Sequence, residues 1–315
     1  MIKLKRHPSN PILAPSHHWW ENKSVFNPGA AIYRGKIILL YRAIGDDNVS
    51  RLGYAESSDG IRFSRLELPR YDSPIDDPFE RLGAEDPRIT KMDHSYYTLY
   101  TAVSVYSALT NNRPTASIST SKNAPFRIRV GVVTTHDFKK FMHHDVLFGG
   151  LDTKNATMFP GRINGNYHVL HRVHPNIALA KSQDFRRWSH RVIASPRPGS
   201  WDARKVGVGA PPIKTRWGWL LFTHGVDERS RYHLGIMMLD RDHPERVIYR
   251  SKQPILSPET SYEQGGLIHD VVYTCGAVLW KDFYYVYYGA GDSVIGLATV
   301  SLKVVDRELE KALTP

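Results

Sequence analysis

The chain contains one cysteine, Cys275, among 315 residues, so no disulfide framework can staple it. That usage fits a reducing cytoplasm, which is the expected location. No apolar run approaches the roughly 18 residues a membrane helix needs, so no membrane partner is expected. The opening MIKLKRHPSN is basic but has no apolar core behind it, and no secretory signal is expected. Helical periodicity is nearly absent. So are the common catalytic signatures: there is no GxSxG, no P-loop, and no GxGxxG in a βαβ setting. His17-His18 and His143-His144 are adjacent pairs without helical ligand spacing, so no metal is expected. Lys and Arg outnumber Asp and Glu by 42 to 31, a formal charge of +11. These cations are scattered singly, without a basic helix or an RNP-like stretch, which argues against nucleic acid. A basic balance also suits a small anionic substrate such as phosphate.

What is present is repetition. Short β-rich runs recur between Gly, Pro, Asn and Asp. Five segments align: NPGAAIYRGKIILLYRAIG from Asn27, EDPRITKMDHSYYTLYTAVS from Glu85, MFPGRINGNYHVLHRVH from Met158, GAPPIKTRWGWLLFTHGV from Gly209 and TCGAVLWKDFYYVYYGAGD from Thr274. Each has a small or proline-containing head, a short apolar strand, a polar turn and a strongly hydrophobic strand. A third strand with a fixed tail follows three of them: GYAESSD, GVVTTHD and ALAKSQD. GIMMLD and GLATVS hold that place in the fourth and fifth. A period of roughly 50 to 70 residues with three or four strands per unit predicts an all-β, five-bladed β-propeller. A sandwich with chance hairpin likeness is the alternative. The expected blades are approximately 25–65, 83–140, 155–190, 207–250 and 270–303, in a single domain spanning 1–315.

In such a fold the start of each first strand and the end of each second strand share one face. That face is expected to collect Asn27, Glu85, Asp86, the 152–155 loop with Lys154, and Lys205. Arg42, Arg172, His224 and Asp292 stand at the ends of the second strands. Asp86 precedes a proline, which favours extended geometry and helps aim its side chain. Arg88 falls on the same side of a regular strand and is read as a structural ion pair to Asp86. Lys154, Arg172 and His224 are three potential cations on one rim, suited to an anion, with Tyr232 as a further hydroxyl. Asn27, Arg42, Lys205 and Asp292 offer hydrogen-bond partners for a sugar ring. Each of these residues, taken alone, also fits capping, turn or surface duty.

With those residues in view, the sequence resembles glycoside hydrolase family 130, the β-mannoside phosphorylases and related β-mannosidases. The pieces that carry the resemblance are VFNPGA at 25–30, YRAIG with SRLGYAES at 41–57, GAEDPRIT at 83–90 and MFPGRINGNYHVLHR at 158–172. KVGVGAPPIKT with GWLLFTHGV at 205–226 and YYGAGDSVIGLAT at 287–299 extend it through almost the whole chain. The resemblance implies a five-bladed propeller with Asp86 as general acid. It implies that Asn27, Arg42, Lys205 and Asp292, with Glu85 beside them, hold the mannosyl unit in the −1 subsite. It further implies that Lys154, Arg172, His224 and Tyr232 bind phosphate. Position 154 is Lys where Arg is expected in several members, which keeps the charge and loses the fork. The expected reaction is inverting phosphorolysis of a non-reducing-end β-mannosyl unit to α-mannose 1-phosphate. Phosphate is the co-substrate, a manno-oligosaccharide the partner, and no other cofactor is expected. An inverting exo-β-mannosidase using water is the nearest alternative, and a non-catalytic glycan-binding propeller the next. Linkage and acceptor are expected to depend on loops such as 104–116 and 136–150. Nothing in the sequence decides the oligomeric state, and a homo-oligomer is compatible with it.

Overall fold

The computed structural model describes residues 2–74, 76–105 and 126–314. Among the described residues, antiparallel runs of strands succeed one another in four hydrogen-bonded sheets, and the bounding Gly, Asn and Asp residues become their turns. The first joins β2 (Ser24–Tyr33), β3 (Lys36–Ile44) and β4 (Ser50–Ser57), with β5 (Ser64–Arg65) alongside β4. The second runs β6 (Gly83–Met92), β7 (Ser95–Val105), β8 (Phe126–Thr135) and β9 (Met142–Leu147). The third runs β10 (Thr157–Met158), β11 (Tyr167–Val173), β12 (Asn176–Ser182) and β13 (Ser189–Ala194). In the fourth, β14 (Lys205–Val208) and β15 (Ile213–Thr215) pair with β16 (Gly218–Val226), followed by β17 (Tyr232–Leu239) and β18 (Val247–Arg250). The fifth is β19 (Val272–Trp280), β20 (Phe283–Ala290) and β21 (Val294–Ser301), completed by β1 (Lys5–Arg6) from the other end of the chain. A parallel bridge, Ser50–Gly83, merges the first two units into one eight-stranded sheet.

Apolar faces pack unit against unit in a series that returns on itself. Ile38 and Leu40 of the first meet Ile89 and Tyr96 of the second. Leu99 and Val130 meet Val169 and Ala180 of the third, and Leu170 and Leu179 meet Leu221 and Met237 of the fourth. Phe222 and Ile236 meet Tyr284 and Tyr288 of the fifth, whose Tyr287 and Leu297 return to Leu39 and Tyr41 of the first. No helix among the described residues is long and apolar enough to cross a membrane. The near absence of helical periodicity has one exception. After α1 (Ser261–Gln264) comes α2 (Leu302–Leu313), whose Val305 and Leu309 are buried against the fifth unit. Its stripe, Leu302-Val305-Leu309-Leu313, is only three turns long, too short to stand out in a β-rich chain.

The repeat has a physical basis. Tyr41, Tyr100 and Tyr288 of the second strands lie opposite Gly53, Gly131 and Gly296 of the third strands. A Cβ on Gly53 would stand 2.2 Å from Tyr41 Cζ, so only glycine admits the ring. Each hydroxyl then donates to a buried carboxylate: Tyr41 to Glu21 at 2.7 Å, Tyr100 to Glu80, and Tyr288 to Glu263 at 2.8 Å. A basic side chain from the outer strand meets each acid: Arg65 at 3.2 Å, His143 at 3.0 Å and Arg6 at 2.8 Å. Asp202 of the fourth unit is held likewise by Arg197 at 2.8 Å and Arg250 at 2.5 Å. In the third unit His171 takes the tyrosine's place, with Thr153 and His190 at its two ring nitrogens. A buried charge is tolerated only when so paired. The recurring Ser/Thr-x-Asp tail is a turn: Ser57 Oγ accepts from Gly60 N, and Asp59 Oδ1 from Ile61 and Arg62 N. Thr135 with Asp137, and Ser182 with Asp184, repeat this use of side-chain oxygens for turn N–H groups. Gly53→Ala is expected to cost about 1–3 kcal/mol by overpacking. Urea unfolding should detect it, whereas Gly150→Ala, with nothing within 4 Å of its Cβ, should leave the midpoint unchanged.

Candidate active site

Bulges at the strand heads shape the site. In β2 the register shifts between Phe26 and Gly29, and in β6 between Glu85 and Arg88. Asn27 and Asp86 sit in these bulges with φ of 47° and 53°. Asn155 and Asp292 adopt the same left-handed region, with φ of 58° and 50°. Asn and Asp tolerate it best among residues with a Cβ. The extended geometry expected of Asp86 from the following proline is therefore overturned by the bulge. The ion pair expected between Arg88 and Asp86 fails for the same reason, because the extra residue breaks the strand's alternation. Arg88 Nη1 donates instead to the Asp86 carbonyl at 2.8 Å, its Nε to Gly209 O at 2.7 Å and its Nη2 to Tyr273 Oη at 2.8 Å. This fully buried guanidinium ties the second unit to the fourth and fifth.

The heads and ends converge on a pocket of about 340 Å³. Eight of the expected residues line it: Asn27, Arg42, Asp86, Lys154, Arg172, Lys205, Tyr232 and Asp292. Glu85 lies behind Arg42, accepting from its Nη2 at 2.5 Å. Asn155, Ile268, Val271 and Tyr273 also line the pocket. Asn155 belongs to the 152–155 loop expected on this face, whereas Ile268, Val271 and Tyr273 carry no such signal in the sequence. Tyr273 sits inside an apolar strand, where a tyrosine reads as core. None of residues 136–150 lines the pocket, and residues 106–116 of the other loop lie outside the described residues.

One side of the pocket is acidic. Asp86 Oδ1 accepts from Asn27 Nδ2 at 2.9 Å and stands 3.7 Å from Arg42 Nη1. Burial works against the Arg42 charge, but Glu85, Asp86 and Asp292 hold its pKa above the ordinary value. Asp292 is pushed up to about 6 by burial, with Arg42 opposing and Asp86 and Glu85 adding to it. The other side is cationic. Among the described residues the side chains of Lys154 and Arg172 make no hydrogen bond or ion pair, while Lys205 Nζ donates to Tyr232 Oη at 2.6 Å. Burial, then the charges of Arg172 and Lys154, bring Lys205 down to about 8. Burial lowers Lys154 as well, against the pull of Glu85. His224 is not one of the cations. It is wholly buried 4.6 Å from the Tyr273 ring, and neither ring nitrogen has a hydrogen-bond partner among the described residues. Burial and the charge of Lys205 press its pKa well below the usual range, so the ring is neutral. The pocket thus brings the hydrogen-bonded carboxyl group of Asp86 together with the basic set of Lys154, Arg172 and Lys205.

The family model described as β-1,4-mannooligosaccharide phosphorylase matches residues 3–308. The chain belongs to glycoside hydrolase family 130. A 1,2-β-oligomannan phosphorylase of Thermoanaerobacter sp. (strain X514) is 40% identical to this family-130 chain, over 96% of it and 99% of the relative. The β-1,2-mannobiose phosphorylase of Listeria innocua, solved with β-1,2-mannobiose, superposes with a TM-score of 0.81 at 27% identity, covering 98% and 99% of the two chains. A further structure comes from work on family-130 glycoside hydrolases that target β-1,2 mannosidic linkages in Candida mannan. It has a TM-score of 0.83 at 26% identity, over 96% of this chain and 94% of that one.

Outside the pocket, Asp77, Glu80 and His143 bring three ligand-type atoms within 4.8 Å of one another. Nothing local in the sequence brings this group together, because His143 lies 63 residues from Glu80. Within it, Glu80 is already met by Tyr71, Tyr100 and His143. For the pocket, the unneutralised cations predict that inorganic phosphate raises the thermal midpoint. The expected stabilisation is about 2.7 kcal/mol at a hundredfold excess over Kd. Scanning fluorimetry should show this for the wild type and lose it in Arg172→Met; an unmoved wild-type midpoint would count against an anion site.

Proposed function

We propose that this chain is an inverting β-mannoside phosphorylase acting on β-1,2-linked manno-oligosaccharides, with phosphate as co-substrate and no other cofactor. The observation that carries the reading is the cationic set Lys154, Arg172 and Lys205 gathered in the pocket with Asp86, where the side chains of Lys154 and Arg172 make no hydrogen bond or ion pair among the described residues. Phosphate is already an anion and needs cations to bind and orient it, whereas water needs a second carboxylate as base. The five units are assigned to one five-bladed propeller forming a single catalytic domain, supported by the cyclic order of their packing.

In the proposed reaction, a phosphate oxygen held by Lys154, Arg172 and Tyr232 attacks C1 of the terminal mannosyl unit from the α face. His224 supports that site from behind as a neutral ring. Asn27, Arg42, Lys205 and Asp292 hold the sugar, with Glu85 steadying Arg42 from behind. Lys205 also faces the anion. The C1–O bond breaks, and the leaving oxygen takes the proton supplied by Asp86, directly or through a hydroxyl of the same sugar. The products are α-mannose 1-phosphate and the shortened acceptor. The β-1,2 linkage follows the names of the 40%-identical relative and of the Listeria enzyme.

A panel of β-mannobioses incubated with phosphate is expected to release α-mannose 1-phosphate from the β-1,2 isomer first. Asp86→Asn should lower kcat by about 10²–10⁴-fold, the usual share of general acid catalysis. Wild-type turnover by that variant on every β-mannoside tried would remove Asp86 from its role. Lys205, with its pKa near 8, carries its charge below that pH and sheds it above. The KM for phosphate should therefore rise as pH passes 8, and Lys205→Arg should abolish the rise. A second reading, hydrolysis, draws on Asp292, whose carboxylate at about 6 is ionised at neutral pH within the same pocket. Equal cleavage rates with and without phosphate would decide for it.

A further inference from the structure

Arg88 is 1% exposed, and none of its hydrogen-bond partners among the described residues is a carboxylate. A guanidinium has five N–H donors and no acceptor. Tyr273 Oη, 2.8 Å from Arg88 Nη2, must therefore accept. The phenol's own hydrogen finds no protein acceptor among the described residues, although Tyr273 lines the pocket. Its ring lies 4.6 Å from that of His224 and 6.3 Å from that of Tyr232. Burial lowers the pKa of Arg172, and the oxygens of Tyr273 and then Tyr232 oppose it ahead of Asp86. Tyr273 and Arg172 line the same pocket, and Arg88 donates to the Tyr273 oxygen.

We infer that Tyr273 donates a hydrogen bond to the bound phosphate, and that Arg88 is the positioning residue that imposes this direction of donation. The inference rests on the phosphorylase reading of the pocket. Arg88 performs two tasks with one planar group: Nη1 holds the Asp86 carbonyl, and Nη2 occupies the Tyr273 oxygen so that its hydrogen is left for the ligand. The unprotonated oxygens of a phosphate beside Arg172 accept hydrogen bonds, so they complement this hydroxyl. Burial also keeps the phenol well above its ordinary pKa against the effect of Arg88, so it remains a donor throughout the neutral range.

The test uses Tyr273→Phe, which removes the hydroxyl and keeps the ring. The KM for phosphate is expected to rise about 10- to 100-fold, the loss typical of a hydrogen bond to a charged group. The KM for β-1,2-mannobiose should change by less than about twofold, and phosphate should lose most of its thermal stabilisation of the protein. An unchanged phosphate KM, or a rise confined to the sugar, overturns the inference. Arg88→Met should raise the phosphate KM similarly, and the double variant should be no worse than the poorer single one, because both remove the same bond. Additive losses would reduce Arg88 to a scaffold residue; should Arg88→Met not fold, Tyr273→Phe alone decides. Phosphate-independent cleavage by the wild type would instead overturn the phosphorylase reading, and that outcome is read without any variant.

Discussion

The pocket depends on a single inserted residue in β6. Regular alternation would send Asp86 and Arg88 to one side of the strand. The bulge between Glu85 and Arg88 separates them, turning the acid into the pocket and the guanidinium into the protein body. The left-handed φ this requires costs about 1–2 kcal/mol for a residue with a Cβ. Arg88 offsets that cost by binding the Asp86 carbonyl and tying it to Gly209 and Tyr273 on other units. The same device in β2 delivers Asn27, whose amide meets the Asp86 carboxylate. The acid is thus placed by backbone geometry as much as by its own side chain.

The distribution of charge separates scaffold from site. Away from the pocket, buried acids are closed systems: Glu21 with Tyr41 and Arg65, Glu263 with Tyr288 and Arg6, and Asp202 with Arg197 and Arg250. These networks clamp outer strands to the middle of their sheets and leave little for a ligand to complete. In the pocket Lys154 and Arg172 are open, and Lys205 is lowered to about 8 by burial and its cationic neighbours. Its folded value lies below the ordinary 10.5, so charging it costs the fold stability at neutral pH. That cost fades as pH rises from about 8 toward 10.5. Strain and uncompensated charge concentrated at one place are what a binding site requires, at the expense of the fold.

Much of this was legible in the sequence, for identifiable reasons. The Gly-initiated third strands reflect rings that need the space of a missing Cβ, and the Ser/Thr-x-Asp tails reflect turn N–H groups that need acceptors. Polar residues such as Arg42, Arg172 and Asp292 at the ends of hydrophobic strands stood out because burial selects against them there. Tyr273 was invisible, since a tyrosine within an apolar strand has the same signature whether it fills the core or faces a ligand. His224 carried the opposite ambiguity: its position was suggestive, but its neutrality follows from complete burial among cations brought in from other units.

The sequence by itself determined the all-β class and which polar residues stand at strand ends, because those follow from local periodicity and turn chemistry. It also carried the family membership, through motifs spread over nearly the whole length. Only the tertiary structure decided which way each of those residues faces. A bulge reverses alternation without changing composition, and Arg88 meets Gly209 and Tyr273 across more than a hundred residues of chain. Charge state likewise belongs to the assembled pocket, because desolvation and neighbouring charges act through space.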